Sequence, residues 1–590
     1  MERMGRSRTG AGSRLLMMVL GLGLCALLLM GCQSLTGGRR DRLVLSLLGD
    51  PKTFNPVLVT DAGSGAVLSP IFEGLLSVDG VTGELIPNLA EQWKISDGGK
   101  RIEFILRPGL QWSDGVPLTA DDVMFSFAVI THPRVPSSLR DVLRIGENRV
   151  FPTLTKLDQR RVVFQLPETF APFLRAIGGM EVLPRHILGD ALKNTNSKGE
   201  PQFLQAWSLQ EPLANIIGTG PYLMRTYRPG ERVIYDRNPN YWKKGQPFIN
   251  GMVFQILENL DTWLLRFRSR ELDVYSLRPE DFELLKIAER RDRFKIYNSG
   301  PTTTQLFLMY NLNQGRDPET NRPFVDPIKS RWFNSLPFRQ AIAHAINRPR
   351  MVDTIFRGLG ELQNSPIPPI SPYYLAPEQG LKVYDYDLER AKKLLQEAGF
   401  RYDAQGRLRD ADNNEVRFTV QTNAGNTVRA QVGSQIKESL EQIGITVDFN
   451  AIDFNVLIEK MDRSKQWEAI IMGFGSSVEP HSLINLWATD GNLHIFNQGA
   501  KLGEPAIPGY ESAPWEQEIE ALMIAGAREV DEAKRRQIYA QYQQKIQENL
   551  PLTYLVAQLS LTAVRDRLEG VRPSVLGGVL WNIDELKLAE

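Results

Sequence analysis

Apolar residues recur along this chain with two different periods, and each predicts a different kind of element. The first half is dominated by strand patterns. Leu43-Val-Leu-Ser-Leu-Leu is a continuous apolar run that Pro51 to Pro56 brings to an end. Arg101-Ile-Glu-Phe-Ile-Leu-Arg and Arg161-Val-Val-Phe-Gln-Leu alternate as half-buried strands do. Tyr222-Leu-Met-Arg-Thr-Tyr, Arg232-Val-Ile-Tyr-Asp and Gly251-Met-Val-Phe-Gln-Ile-Leu predict further strands. Ala66 to Gly74 reads as a short helix stopped by glycine, and 190–213 is polar and irregular.

Helical spacing is richer in the second half. It predicts helices over Phe338 to Phe356, Leu388 to Gly399 and Val432 to Ile443. Trp515 to Asn549 predicts two more, interrupted near Asp531. Strand patterns lie between them, at Val416-Arg-Phe-Thr-Val-Gln-Thr, Ile445-Thr-Val-Asp-Phe, Trp467-Glu-Ala-Ile-Ile-Met-Gly and Pro551-Leu-Thr-Tyr-Leu-Val. Strand–helix–strand order over 301–550 predicts an α/β lobe.

Composition narrows the classes. With 590 residues, 42% hydrophobic and 23% charged, the chain is neither disordered nor fibrous. It is long enough for about three or four domains or subdomains. Lys+Arg and Asp+Glu are both 69, and no basic stripe is visible, so a nucleic-acid partner is not expected. Five histidines and two cysteines, with no Cys-x-x-Cys or His-Glu-x-x-His, leave no metal or cofactor motif.

The N-terminus bears on the compartment. Arg3, Arg6, Arg8 and Arg14 precede a 16-residue apolar and glycine stretch, Leu15 to Met30. As a helix it would span roughly 24 Å, short of the ~30 Å hydrocarbon core, so it fits a signal segment better than a membrane span. Leu29-Met30-Gly31-Cys32 resembles the bacterial lipobox, with Met30 in place of the usual small residue. The resemblance implies a signal peptide over 1–31, lipidation at Cys32 and a tether over 32–42. The signal segment carries four Arg and one Glu, so the chain after it has 65 basic and 68 acidic residues. One cysteine then remains, which excludes an intramolecular disulfide.

Specific blocks begin with Ala90-Glu-Gln-Trp and Leu106-Arg-Pro-Gly-Leu-Gln-Trp-Ser-Asp-Gly-Val-Pro-Leu-Thr-Ala-Asp-Asp-Val. Gly218-Thr-Gly-Pro-Tyr, Arg237-Asn-Pro-Asn-Tyr-Trp, Phe338-Arg-Gln-Ala-Ile-Ala-His-Ala-Ile-Asn-Arg, Pro366-Ile-Pro-Pro and Leu440-Glu-Gln-Ile-Gly-Ile follow in order. In this series the chain closely resembles the extracellular solute-binding proteins of family 5, the dipeptide-, oligopeptide- and nickel-binding proteins of ABC importers. The likeness runs from about Leu43 to the C-terminus. Taken by themselves, most of these residues read as structural: turns, helix starts and core aromatics, with Arg339 weighed as structural rather than as a phosphate clamp.

The resemblance implies an α/β fold, a two-lobed clamshell of the periplasmic-binding-protein type II with an additional β-rich insert. Lobe I would combine 43–76, 213–300 and 552–590, with 77–212 as the insert and 301–551 as lobe II. Hinge crossings are expected near Tyr310-Asn311 and Pro551-Thr553. A ligand held between the lobes favours the closed form, which the importer's permease subunits recognise. The protein would be a monomer, exported and held by lipid at the periplasmic face of a bacterial membrane or the outer face of the cell membrane. No catalytic role is implied.

Peptide-binding relatives use a Gly-Trp-x-x-Asp block whose Asp pairs with the ligand's α-ammonium group. The matching segment here is Gly473-Phe-Gly-Ser-Ser-Val-Glu-Pro-His. Phe474 replaces the Trp, and Ser477 stands where the Asp is expected. A serine offers only a neutral hydrogen bond. Either Glu479 supplies the charge, or the ligand is blocked, neutral or not a peptide. The candidate ligand-binding residues are Phe474, Ser476, Ser477, Glu479, Trp487, Thr422 and Asn423, with Asn426 in the same polar loop and Ser46 to Phe54 as the first-lobe edge. Trp487 reads equally as cleft wall or core. The alternatives are a metal-chelate binder of the same fold using His481, a solute sensor outside transport, and a secreted hydrolase. The hydrolase lacks Gly-x-Ser-x-Gly, Ser-x-x-Lys and zinc motifs.

Overall fold

The structure, a computed structural model, describes residues 41–589 apart from Thr60, Glu147 and 501–503. The expected signal segment, Cys32 and most of the tether lie outside the described residues. No described helix is long and apolar enough to cross a membrane.

The strand pattern at the start of the chain closes a sheet with segments two hundred residues away. Arg42–Leu47 lies parallel to Gly251–Ile256, and Arg232–Arg237 and Tyr222–Arg228 continue the sheet antiparallel. A second sheet places Val556–Arg565 between Val274–Ser276 and Phe294–Pro301. These two sheets form the first lobe.

The second lobe is built on five strands in the order Thr446–Ile452, Arg417–Asn423, Ala469–Gly475, Thr304–Tyr310, Leu552–Tyr554. The first three are parallel and the last two antiparallel to their neighbours. Parallel strands need crossover helices, and those helices cover the sheet faces. Thr304–Tyr310 is therefore buried at every position from Gln305 on, without alternation. Arg101–Leu106 does alternate, because its sheet with Ala90–Ser96, Arg161–Gln165 and Thr153–Lys156 buries one face only.

That last sheet belongs to the insert, and the helix Ala120–Thr131 ties it to the first lobe. Thr119 and Asp122 form a reciprocal capping box at its start. Val123, Phe127 and Ile130 enter the insert's core, whereas Phe125 and Val129 enter the core of the first lobe. The insert also reaches the second lobe. Ala171 N–H donates to Ala527 O at 2.7 Å, Arg149 pairs with Asp490 and Glu520, and Arg528 pairs with Glu168.

Several expectations are corrected. The helical pattern Phe338 to Phe356 forms two helices, Leu336–Ala345 and Arg348–Thr354. Pro349 cannot donate to a continuous helix, and Asn347 caps the second one through Arg350 N–H. The helix expected from Val432 begins at Thr427, where the Asn426 side chain caps Arg429 N–H. The chain does not cross between lobes at Tyr310-Asn311. Tyr310 is fully buried at the far end of its strand, and Asn311 donates to Lys465 O and Trp467 O. The sheets change at Thr302-Thr303 and at Leu555, so Leu552–Tyr554 pairs within the second lobe. Gly360–Leu362, far inside 301–551 in sequence, adds to the first-lobe strand Val556–Arg565.

Candidate functional site

A cavity of about 890 Å³ opens between the lobes. Its floor is made where the chain passes from one lobe to the other, and Thr302, Thr304, Val556 and Gln558 line it. The first-lobe wall comes from loops after strands: Leu48, Glu258 to Asp261, and Ser276 to Arg278. The second-lobe wall is Asn423 to Arg429, where the parallel strand Arg417–Asn423 ends and the helix Thr427–Glu441 begins. Ligands of open α/β sheets bind outside the carboxyl ends of such strands.

The two walls differ in charge. Arg278 is satisfied within the first lobe: it meets Asp261 at 2.8 Å and Asp281 at 2.7 Å. The hydrogen bond to Asp281 raises its already high pKa further. Asp281 also accepts from Tyr275 Oη at 2.5 Å. On the second lobe, Arg429 Nη1 donates to Asn423 Oδ1 at 2.8 Å and touches Met472 Sδ at 3.7 Å. No ion pair forms at Arg429 among the described residues, and burial holds its pKa below the usual arginine value.

The sequence candidates separate into distinct places. Asn423 lines the cavity. Thr422 does not: its hydroxyl is buried and donates to Ile471 O at 2.9 Å, linking two strands. Phe474 is half-buried and packs on Phe307 at a centroid distance of 5.3 Å. Ser476 donates from N–H and Oγ to Thr303 O, at 3.2 and 2.6 Å, and so fastens the strand end to the crossing segment. Ser477 closes a turn, its Oγ accepting from Glu479 N–H at 3.1 Å. Trp487 is core, packed at 5.9 Å from both Phe496 and Tyr542.

Glu479 does not take the place of the expected Asp. It is buried, caps His481 N–H, and meets Arg535 Nη2 at 2.7 Å. Arg535 also donates to Gly526 O and Tyr373 Oη, so the carboxylate is neutralised inside the second lobe. His481 is equally enclosed. Its Nδ1 lies 3.3 Å from Met523 O and its ring packs edge-on against Phe170 of the insert. Burial lowers its pKa to about 4. No group of three or more His, Cys, Asp or Glu side chains is placed to hold a metal ion among the described residues. Arg339 donates to Phe333 O and Asn549 O, a buried anchor.

Leu48 falls within the expected first-lobe edge. Asn426, expected in a polar loop facing the cleft, lines the cavity. Sequence reasoning missed Glu258, Asp261, Arg278 and Arg429. For Arg429 a signal existed: an Asn just before a helical run marks a helix start, and Arg429 lies in the first turn after Asn426.

Comparison with known proteins settles the class. The family model described as bacterial extracellular solute-binding proteins, family 5 middle, matches residues 84–494, and the chain belongs to this family. A Deinococcus radiodurans protein named "Probable ABC transporter-binding protein" is 29% identical, covering 89% of this chain and 88% of that protein. The dipeptide-binding protein of Escherichia coli is 26% identical, covering 91% and 92%. The oligopeptide-binding protein AppA of Bacillus subtilis, solved with a nonapeptide, superposes with a TM-score of 0.74 at 24% identity, covering 93% of this chain and 99% of that one. NikZ of Campylobacter jejuni, solved with Ni(L-His), gives 0.74 at 20%, with the same coverage. The α/β two-lobed fold is thus the family's.

Proposed function

We propose that this chain captures oligopeptides or related small solutes between its lobes and delivers them, chemically unaltered, to the permease of an ABC importer. The cleft carries this reading. Its 890 Å³ lies between two separately cored lobes, and the segments where the chain crosses between them form its floor. A solute touching both walls binds the closed arrangement better than the open one, and that difference is the signal a permease can read. Sites of roughly 300–1,000 Å³ suit small-molecule and peptide ligands. The names of the relatives, a dipeptide- and an oligopeptide-binding protein, support the solute class. A lipid on Cys32, a monomeric body and a place outside the cytoplasmic membrane complete the reading.

The test is gentle purification followed by mass spectrometry of released cargo, with scattering and thermal unfolding measured against a peptide panel. Small cargo is expected, and a panel member should compact the protein and raise its melting temperature. A chain that carries no cargo, keeps one scattering profile and melts identically across the panel contradicts uptake. Turnover of any panel member contradicts the non-enzymatic reading.

A further inference from the structure

We propose that the second-lobe wall of the cleft takes an anionic group of the ligand, a carboxylate, at Arg429. This rests on the binding-protein reading above and adds the polarity of the ligand. The family block that supplies a carboxylate for an ammonium group in peptide-binding relatives ends here in Ser477, and that serine is spent on a turn. The nearest acidic replacement in sequence, Glu479, is spent on Arg535. Among the described residues of the second-lobe wall, Asn423 to Arg429, none is an acid that could meet an ammonium group.

It has a cation instead. Arg429 lines the cavity and lies over the first residue of the same block. A Cβ on Gly473 would meet Gln305 O at 2.9 Å and Arg429 Nη2 at 3.0 Å, so the guanidinium packs directly over the glycine. Nη1 is held by Asn423, which fixes the plane of the group. Among the described residues neither Nε nor Nη2 has a hydrogen-bond partner. Those two nitrogens form one edge of the guanidinium fork, which matches a carboxylate with two parallel bonds.

The remaining charges of the cavity sharpen the contrast. On the first-lobe wall Arg278 is shared among Asp261, Glu280 and Asp281, so it offers no free cation. Glu258 stands exposed at the rim of that same wall, the opposite one from Arg429. The cleft thus presents a cation from the second lobe and an acid from the first. A partly desolvated guanidinium without a counter-charge is costly to keep in the empty protein, and a bound carboxylate removes that cost.

The experiment uses one peptide, tetra-alanine, in four forms: free, N-acetylated, C-amidated, and blocked at both ends. Binding is measured by calorimetry to the exported chain and to its Arg429→Gln and Arg429→Lys variants. The free and N-acetylated forms should bind alike, and amidation should weaken binding about 10- to 100-fold, as loss of a charge-assisted bond does. Arg429→Gln should weaken the free form by the same factor and leave the amide unchanged. Arg429→Lys should restore part of the loss, which separates charge from folding. Equal binding of acid and amide, loss on acetylation instead, or wild-type affinity of Arg429→Gln for the acid overturns the proposal. If no form binds, the peptide reading falls by itself. The carboxylate proposal is then decided by the cargo: acidic cargo lost from Arg429→Gln upholds it, and neutral or basic cargo overturns it.

Discussion

The buried pair Glu479–Arg535 allows one consequence to be worked through. The side chains are 10% and 7% exposed and 2.7 Å apart, so water screens them little. Burial alone would lower the pKa of Arg535, and Glu479 together with Tyr539 and Tyr373 more than reverses this. Arg535 also stacks over Tyr373 and Tyr539, with its guanidinium 4.8 and 5.3 Å from the ring centroids. Arg535→Met would leave Glu479 as a buried charge without its counter-ion. Removing one partner of such a pair costs about 3–5 kcal/mol, whereas replacing both costs far less. Arg535→Met and Glu479→Gln should therefore each lower the urea midpoint of the second lobe, and the double variant should recover part of the loss. A double-mutant cycle measures that coupling. If each single change costs under about 1 kcal/mol and the two simply add, the argument from burial is wrong. The same variants decide the role of Glu479. Glu479→Gln should leave the affinity for free tetra-alanine unchanged, and a drop of about tenfold or more would make it a ligand carboxylate after all.

Two groups, the buried His481 and the half-buried Glu73, should give opposite pH dependences. His481 has its pKa lowered from 6.5 to about 4 by burial, so the unfolded chain binds the extra proton between those values. Its contribution is complete above about pH 6.5 and is lost as pH falls towards 4, amounting to ~3 kcal/mol, and His481→Gln should flatten that part of the stability profile. Glu73 is raised from 4.5 to about 7, chiefly by burial, although Trp242 Nε1 donates to both its oxygens at 3.0 and 3.3 Å. Here the unfolded chain loses its proton first, so stability falls as pH rises from 4.5 to 7. Glu73→Gln should remove that decline, and an unchanged slope in urea titrations would count against the assignment. Gly218→Ala would bring a Cβ to 2.1 Å from Ile71 O, so it should cost about 1–3 kcal/mol by urea unfolding. An unchanged midpoint would show that the approach relaxes freely.

Much of the fold was legible because it is local. The helix Leu388–Glu397 has its Asp387 cap and its Gly399 at φ +89° within a dozen residues. The break near Asp531 is a helix cap, with Asp531 accepting from Lys534 N–H. The alternation of Arg101–Leu106 is a direct image of one buried face. Gly218 and Gly220 stand in a recognisable block, and the structure supplies the reason: a Cβ on either would strike the backbone of Ile71 or Pro70. The hinge was not legible, since strand length and the point where a strand changes sheets depend on partners far away in sequence.

The candidate site divides in the same way. The loss of the family's acid at Ser477 could be read from the chain, and so could the segment from Thr422 to Asn426. Glu479 looked available, because its partner Arg535 is 56 residues away. Arg278 and Arg429 are alike as letters in a sequence. Folding sets one beside Asp261 and Asp281 and the other beside an amide and a thioether. Short-range patterns determine which segments become strands and helices, because capping and periodic burial act over a few residues. Whether a charge is neutralised or left facing a cleft is decided only when the lobes assemble, because Coulomb interactions depend on distance in space.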